Sequence, residues 1–474
     1  MKFCKLTGQS REEYQSTACQ PCLAQHIVCG WMVAVILLTA SAPAASADGL
    51  LIDEVWSGHP VGFDILTERG HQFIAYYAAD RKITVTGRKL GETNWTRVQP
   101  EGVNVTNRGR TSNVIGWDSH NYLTLALDRD GCLHLSGNMH ADPLVYYRTR
   151  KPFDLATLER IDRMTGELEE RTTYPRFSRH PDGRLLFAYR TGGSGNGSDL
   201  YNVYDPNTRL WQRLFDGPLL DGEGERSAYS TGPRRGPDGL YHLLWMWRDT
   251  PDARSNHTLS YARSRDLLNW ETSAGKPIKR PITMANAEVV DAAKSEDGLI
   301  NVCFALGWDA EKRPVAVYHR YDTNGHSQLF IARADDHGVW QHRQLSDWSF
   351  RVEFPGYGSQ GIQLGVGSPK LESNGQVIIE YSTQQVGAGR WRLDGKTLAV
   401  LEQLPTARSP LSALDVSPRG TFPGLQVQTA SSQADGRRWL LRWETLGVNR
   451  DLANRDVPPP SELRLYELPK GDDL

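Results

Sequence analysis

Histidines lie at both ends of one short stretch, residues 117–140, which reads WDSHNYLTLALDRDGCLHLSGNMH. His120 and Asn121 precede an alternating apolar segment, and a second such segment is followed by Asn138 and His140. If the two segments form an antiparallel hairpin, both histidines return to the same end of it. Two imidazoles there can act as acid and base, or contribute to a metal site that needs further ligands. The alternative is that each histidine only hydrogen-bonds a strand end.

A second group of polar residues surrounds the apolar segment LYHLLWMWR. We expect Tyr229 in a loop before this segment and Arg248 just beyond it, with Asn256 and His257 following. A guanidinium at this position can hold a carboxylate through two parallel hydrogen bonds. The alternative is a surface arginine–aspartate pair beside tryptophans of the core.

A third group lies in RPVAVYHRYD, residues 313–322. Successive side chains of a regular strand point to opposite faces. At most one of Tyr318 and His319 is therefore expected to face a substrate. Together the three groups supply six candidate substrate-binding residues, which are Asn121, Asn138, Asn256, His257, Tyr318 and His319.

Alternating apolar segments after tight turns recur along the chain. Asp-Gly or Asn-Gly, a strong hairpin signal, precedes six of them, at 130–131, 182–183, 238–239, 297–298, 374–375 and 435–436. A seventh segment, HQFIAYYAAD at 71–80, has the same character without the dipeptide. Seven units of about 60 residues, each with four short strands, predict an all-β, seven-bladed β-propeller over residues 48–474. The alternative is two separate β-sandwiches.

The composition limits the partners and the compartment. Lys plus Arg is 54 against 56 acidic residues, a net charge of -2, which gives no support for non-specific nucleic-acid binding. Residues 1–47 contain a short apolar run followed by Ala45-Ser46-Ala47, as in a secretory signal peptide. The alternatives are an uncleaved anchor or a wrongly assigned start. We expect a secreted or periplasmic protein with no membrane contact after cleavage.

Cysteine chemistry contributes little to this expectation. Four of the six cysteines lie in the leader, and only Cys132 and Cys303 remain in the mature chain. These two can pair, bind a metal or be buried thiols.

Several longer strings resemble the BNR-4 repeat family. They are SHNYLTLALDRDG, HLSGNMHADPLVYYRT, TGGSGNG, WMWRDTPDARSNHTLSYARS and VYHRYDTNGHSQLFIAR, and the resemblance runs from about Val55 to at least Arg333. That family includes seven-bladed propeller polysaccharide lyases, best known as ulvan lyases, which cleave 4-linked uronic acid sugars by β-elimination.

The resemblance implies roles for individual residues. His120 corresponds to a catalytic histidine of the H-N motif, and His140 to a second active-site histidine. Tyr229 corresponds to an active-site tyrosine and Arg248 to the arginine of W-x-W-R. Further histidines and tyrosines of those lyases correspond to Tyr318 or His319 without a firm alignment.

β-Elimination from a uronate needs a neutralised carboxylate, a base for the C5 proton and an acid for O4. Arg248 suits the first task, His120 suits the base, Tyr229 can be acid or base, and His140 can position the base. The resemblance implies an acidic polysaccharide substrate and no cofactor for the chemistry, and we expect a monomer. It also implies a structural zinc or calcium ion, whose ligands it does not identify. The alternatives are a sialidase-like propeller glycoside hydrolase and a non-catalytic glycan-binding propeller.

Overall fold

The computed structural model describes residues 48–105, 109–361, 363–406 and 417–468. The predicted signal peptide, residues 1–47, lies outside the described residues. Within these ranges the regular structure consists of β-strands and two 3-10 turns, Leu155–Thr157 and Ala253–Ser255. The predicted all-β class is therefore confirmed. No helix in the described ranges is both long and apolar enough to cross a membrane.

The strands of the first half are β1 Leu50–Val55, β2 Asp64–Glu68, β3 His71–Tyr77, β4 Ile83–Lys89, β5 Thr96–Val98, β6 Asn104–Val105, β7 Arg110–Thr111, β8 Leu123–Leu127, β9 Leu133–Gly137, β10 His140–Asp142, β11 Tyr146–Thr149, β12 Leu158–Arg160, β13 Thr172–Arg179, β14 Leu185–Thr191, β15 Ser198–Asp205, β16 Leu210–Arg213, β17 Ser227–Ser230 and β18 Arg234–Arg235. The second half contains β19 Tyr241–Arg248, β20 Asn256–Ser264, β21 Trp270–Glu271, β22 Pro277–Ile278, β23 Glu288–Asp291, β24 Phe304–Trp308, β25 Pro314–Tyr321, β26 Ser327–Ala334, β27 Trp340–Gln344, β28 Leu364–Val366, β29 Lys370–Leu371, β30 Val377–Thr383, β31 Gly387–Leu393, β32 Val400–Leu404, β33 Leu425–Ala434, β34 Arg437–Leu446 and β35 Ser461–Leu468.

These strands form seven sheets of four or more strands, and β6 with β7 forms a two-stranded ribbon. Six of the seven sheets contain only strands that are close in sequence. The exception has the order β1-β35-β34-β33, so the first described strand joins the last one. Each sheet buries apolar side chains against others, and Trp245 and Trp247 are among the largest fully buried residues. Both tryptophans therefore belong to the core.

The turn signals locate most of the central strands correctly. Six of the seven alternating segments coincide with β3, β9, β14, β19, β30 and β34. The segment after Asp297-Gly298 differs, because the strand there begins only at Phe304. Ile300 and Cys303 are buried in a turn, in which the Cys303 amide donates to the Ile300 carbonyl. Burial under a turn produced the apolar pattern without a strand. Cys132 and Cys303 are both buried free thiols, so they do not pair.

Candidate active site

The hairpin of β8 and β9 brings the two histidines together. Leu123 at the start of β8 pairs with Gly137 at the end of β9, so His120 and His140 leave the same end. A Cβ on Gly137 would stand 2.3 Å from the Tyr122 carbonyl oxygen, and the φ of +154° also favours glycine there. The chain can cross so closely only because position 137 has no side chain. The imidazole rings consequently stack, with centroids 4.0 Å apart and planes inclined by 26°.

One carboxylate binds both rings. Asp118 Oδ1 lies 2.7 Å from His120 Nδ1, and Asp118 Oδ2 lies 2.5 Å from His140 Nδ1. Asp118 also accepts the backbone N–H of His120 at 2.9 Å, which fixes the turn before β8. Burial acts to raise the pKa of Asp118, but the hydrogen bonds from both histidines hold it well below its usual range. The hydrogen bonds from both histidines thus stabilise Asp118 as an anion.

A second carboxylate, that of Asp451, completes a group that resembles a metal site. The ligand atoms of Asp118, His120, His140 and Asp451 all lie within 4.8 Å of one another. Ligands of a tetrahedral zinc ion stand about 3.3 Å apart, because each bond is about 2.0–2.1 Å long. The contacts of Asp118 with the histidines are shorter than that and match charge-assisted hydrogen bonds. Calcium requires mainly oxygen ligands. The arrangement therefore does not fit the structural zinc or calcium ion expected from the family resemblance.

Tyr229 is the second proton-transfer candidate. It lies in β17 rather than in the expected loop, because β17 pairs with the end of β19. Its hydroxyl accepts a hydrogen bond from Arg190 Nη1 at 3.2 Å and lies 2.6 Å from Ser194 Oγ. Burial alone would raise the pKa of Tyr229, but the charges of Arg190 and Arg248 outweigh burial and place that pKa below its ordinary value. The two arginines thus stabilise the phenolate of Tyr229 relative to that of an ordinary tyrosine.

Two guanidinium groups flank this phenol. Arg248 ends β19, directly opposite Ser227, and its guanidinium lies 5.3 Å from the centre of the Tyr229 ring. Arg248 also donates to the carbonyls of Thr250 and Pro251. Arg190 is almost fully buried, and its Nε and Nη2 have no hydrogen-bond partner among the described residues. A buried cation with unused donors is costly unless a ligand supplies acceptors.

One cleft of about 410 Å³ is lined by His120, Tyr229 and both arginines, whereas His140 and Asp118 are not among its lining residues. Its polar lining includes His120, Tyr174, Arg176, Arg190, Asp199, Tyr229 and Arg248. Three arginines against one aspartate make the cleft suited to an anionic ligand. Burial raises the pKa of Asp199 to about 6, although Arg176 and Arg190 lower it.

Tyr174 stands between the two proton-transfer groups. Its ring centre lies 5.6 Å from that of His120 and 6.2 Å from that of Tyr229. The residue has a φ of 58°, at an irregularity in the pairing of β13 with β14. Such strain in a non-glycine residue is uncommon and concentrates at functional sites. Burial raises the pKa of Tyr174 above its usual value, so its hydroxyl remains protonated.

Asn121 and Asn138, which were predicted to bind substrate, are both buried. Asn138 has a φ of 60° and donates to the carbonyls of Ser112 and Val114. Neither side-chain atom of buried Asn121 has a hydrogen-bond partner in the described residues. Neither residue is among those that line the cleft.

Asn256 and His257 begin β20, beside Arg248 and Trp247 of β19. Asn256 donates to the Ala253 carbonyl at 2.6 Å. His257 uses both nitrogens locally, with Nε2 2.9 Å from Asp249 and Nδ1 3.0 Å from Thr258. The structure places both residues next to the strand that supplies Arg248, outside the cleft lining.

Tyr318 and His319 lie in the middle of β25 and are fully buried. The Tyr318 hydroxyl donates to Asp291 at 2.6 Å and lies 2.9 Å from His342 Nδ1. His319 Nδ1 lies 2.5 Å from the Gly298 carbonyl oxygen, and burial lowers the pKa of His319 to about 4. Neither residue lines the cleft around His120.

Sequence patterns did not predict the roles of Asp118, Tyr174 and Arg190, which lie in or beside the cleft. A signal for Arg190 existed, because Tyr189-Arg190 lies one residue before the end of β14, much as Trp247-Arg248 ends β19. Asp118 stands two residues before His120, a spacing at which an aspartate accepts the backbone N–H and closes a turn. Tyr174 gave no signal, since its position depends on an irregular strand.

Comparison with known proteins places this geometry in context. A model described as "BNR repeat-containing family member" matches residues 71–348. The short isoform of an ulvan lyase from Alteromonas sp. (strain LOR) is 35% identical over 74 residues, 15% of this chain and 14% of that protein. The long isoform from Pseudoalteromonas sp. (strain PLSV) is 43% identical over 149 residues, 25% of this chain and 13% of that protein. The matched segments thus span about one seventh of those relatives.

Solved structures extend the likeness to the fold. The polysaccharide lyase Uly1 matches with a TM-score of 0.57 and 15% identity, covering 89% of this chain and 98% of its own. A PL25 ulvan lyase bound to -[GlcA(1-4)Rha3S]- matches with a TM-score of 0.57 and 12% identity, covering 89% and 95%. At such identities the likeness shows a shared all-β fold.

Proposed function

The chain belongs to the BNR repeat-containing family, and from that premise we propose that it is a polysaccharide lyase acting on a 4-linked, uronic-acid-containing polysaccharide by β-elimination. The observation that carries the proposal is a phenol with a lowered pKa between two arginines, in the same cleft as a carboxylate-anchored histidine. The partial similarity to ulvan lyases supports it.

The substrate carboxylate binds to arginine. Arg190 offers two unused donors, Nε and Nη2, and a uronate would satisfy both. Arg248, the arginine favoured by the sequence, lies across the Tyr229 ring and adds a second positive charge. Neutralising the carboxylate makes the C5 proton more acidic and stabilises the charge that develops when it leaves.

Tyr229 is the base. Its phenolate is stabilised by Arg190 and Arg248, and its oxygen can take the proton from C5. As that C–H bond breaks, its electron pair forms the double bond between C4 and C5, and the bond from C4 to O4 breaks.

His120 is the acid that protonates the departing O4. Its ring lines the cleft, and within the described residues its Nε2 has no hydrogen-bond partner in the protein. His120 acts in its imidazolium form, whose Nδ1–H the Asp118 carboxylate accepts. His140 stacks on His120 and restricts its orientation.

A glycoside hydrolase is less well supported by this cleft. Hydrolysis by the usual route needs two carboxyl groups flanking the scissile bond. Asp199 is the one carboxyl group among the described residues that line the cleft. Sialidase-like hydrolysis and glycan binding without catalysis are therefore the alternative outcomes of the following experiment.

The experiment is incubation of the purified chain with ulvan and with a panel of glucuronate-containing polysaccharides. Elimination raises the near-ultraviolet absorbance, because it creates an unsaturated uronate. New reducing ends without that absorbance would establish hydrolysis instead. Retention on immobilised glycan without any product would leave a binding protein.

A hydroxyl deletion tests the role of the base. Tyr229→Phe is expected to lower kcat by about 10²–10⁴-fold, the usual effect of losing a proton-transfer group. Tyr76→Phe is the matched control, since the Tyr76 hydroxyl bonds Asp53 and lies outside the cleft lining. Equal activity of the two variants would remove Tyr229 from the mechanism.

We also propose that the seven sheets are the seven blades of a propeller. We further propose that residues 1–47 direct export, so that the protein is secreted or periplasmic, and that it is a monomer. The seven sheets of four or more strands and the pairing of β1 with β35 support the blade count. The apolar run and the Ala45-Ser46-Ala47 sequence support export.

A further inference from the structure

Asp118 touches no part of the cleft directly, yet it contacts both histidines. We infer that Asp118 is a positioning residue that fixes both imidazoles in the same tautomer, with hydrogen on Nδ1, so that Nε2 is the nitrogen that exchanges the proton. The catalytic part of this inference depends on the proposed lyase function, whereas the tautomer assignment does not.

Asp118 carries a negative charge and hydrogen-bonds both histidines. A carboxylate anion can accept hydrogen bonds but cannot donate them. Each of its oxygens lies at hydrogen-bond distance from one Nδ1 atom, at 2.7 Å for His120 and 2.5 Å for His140. Both Nδ1 atoms must therefore carry hydrogen. In a neutral imidazole the remaining lone pair is then on Nε2.

Asp118 is itself held in place by the turn that it closes. Its Oδ1 accepts the backbone N–H of His120, and its carbonyl accepts the N–H of Asn121. The neighbouring Asp451 is committed elsewhere, because it accepts the N–H groups of Ser119 and Ser359. Asp451 Oδ2 lies 3.8 Å from His120 Nδ1, beyond hydrogen-bond distance, so Asp118 rather than Asp451 sets the tautomer of His120.

The variant Asp118→Asn separates this role from mere shape. The introduced amide has one acceptor oxygen and one donor nitrogen. It can accept from only one Nδ1–H, and its NH₂ must donate to the other ring. One of the two histidines is then expected to switch to the Nε2–H tautomer.

The measurement is nitrogen NMR of the full chain carrying ¹⁵N-labelled histidine, with single substitutions of His120 and His140 to assign the signals. In the unmodified protein at a pH where the rings are neutral, both are expected to show protonated Nδ1 and unprotonated Nε2. Either ring found with hydrogen on Nε2 would overturn the inference. So would a Nδ1 signal typical of metal ligation in the protein as purified that chelation abolishes.

Kinetics on an eliminated substrate supply the second readout. Asp118→Asn is expected to lower kcat by about 10²–10⁴-fold with little change in KM, as when another hydrogen-bonded aspartate that orients a histidine is replaced. Asp128→Asn is the matched control, because Asp128 contacts the buried His134 away from the cleft. A kcat unchanged by Asp118→Asn would refute the positioning role. Expected tautomers in a chain that eliminates no substrate would instead refute the proposed function and leave the tautomer assignment standing.

Discussion

Two sets of aspartate–histidine contacts differ in the nitrogen that meets the carboxylate. Inside two sheets, Nε2 faces aspartate, at 3.4 Å from Asp128 for His134 and 3.0 Å from Asp238 for His242. A tyrosine hydroxyl occupies Nδ1 in both cases, from Tyr146 at 2.8 Å and from Tyr261 at 2.6 Å. Beside the cleft, Nδ1 of both His120 and His140 faces the carboxylate of Asp118.

Exposure follows the same division. The side chains of His134 and His242 are 0% exposed, whereas those of His120 and His140 are 20% and 26% exposed. Burial lowers the pKa of His134 and of His242, although each aspartate opposes that shift. A ring with both nitrogens occupied inside a sheet serves stability. The ring of His120, which meets its carboxylate through Nδ1 and lines the cleft, can exchange a proton with a ligand.

The largest expected effect is on catalysis by the exposed pair. His120→Ala should lower kcat on the eliminated polysaccharide by about 10²–10⁴-fold, because the proton donor is lost. Its free energy of unfolding should change by less than about 1 kcal/mol, since the ring is partly exposed. Turnover assays and urea unfolding of the same preparation measure both quantities. Full activity in this variant would show that His120 has no catalytic role.

The buried pairs should show the opposite result. His242→Ala is expected to lower the free energy of unfolding by about 2–4 kcal/mol, because it leaves the Tyr261 hydroxyl and the Asp238 carboxylate without their partner. Activity per folded molecule should be unchanged. A stable His242→Ala protein with reduced kcat would show that this ring, too, takes part in function.

His319 is a buried histidine whose Nδ1 meets the Gly298 carbonyl oxygen instead of an aspartate. Its folded pKa of about 4 lies below the value of about 6.5 expected when unfolded. The neutral ring is compatible with folding above pH 6.5, and its contribution to stability falls as the pH drops from about 6.5 to 4. His319→Gln should remove up to about 3 kcal/mol of this pH dependence. Urea unfolding of both proteins at pH 7 and pH 4.5 measures it, and parallel pH curves would contradict the expectation.

The sequence predicts those contacts that follow from regular pairing. His120 and His140 flank a hairpin whose register fixes their approach, so their proximity could be predicted from spacing. Tyr229 and Arg248 meet for a similar reason, although Tyr229 belongs to a strand rather than a loop.

Irregular backbone explains most of what the sequence does not reveal. Tyr174 reaches the cleft through a left-handed residue at a break in strand pairing, which has no pattern of apolar residues. The turn at Leu299–Cys303 imitates a strand because burial, not extension, sets its composition. Tyr318 and His319 have the residue types of a site, but tertiary packing buries both of them.

The sheet that joins β1 to β35 can be completed only late in synthesis of the chain. Leu50 pairs with Leu465, so β1 cannot pair with β35 until more than 400 further residues have been translated. At about 5–20 residues per second this wait lasts on the order of 20–80 s. Meanwhile β1 presents an unpaired edge to every other nascent chain nearby. The protein should therefore depend on holding chaperones until its last strand emerges from the ribosome.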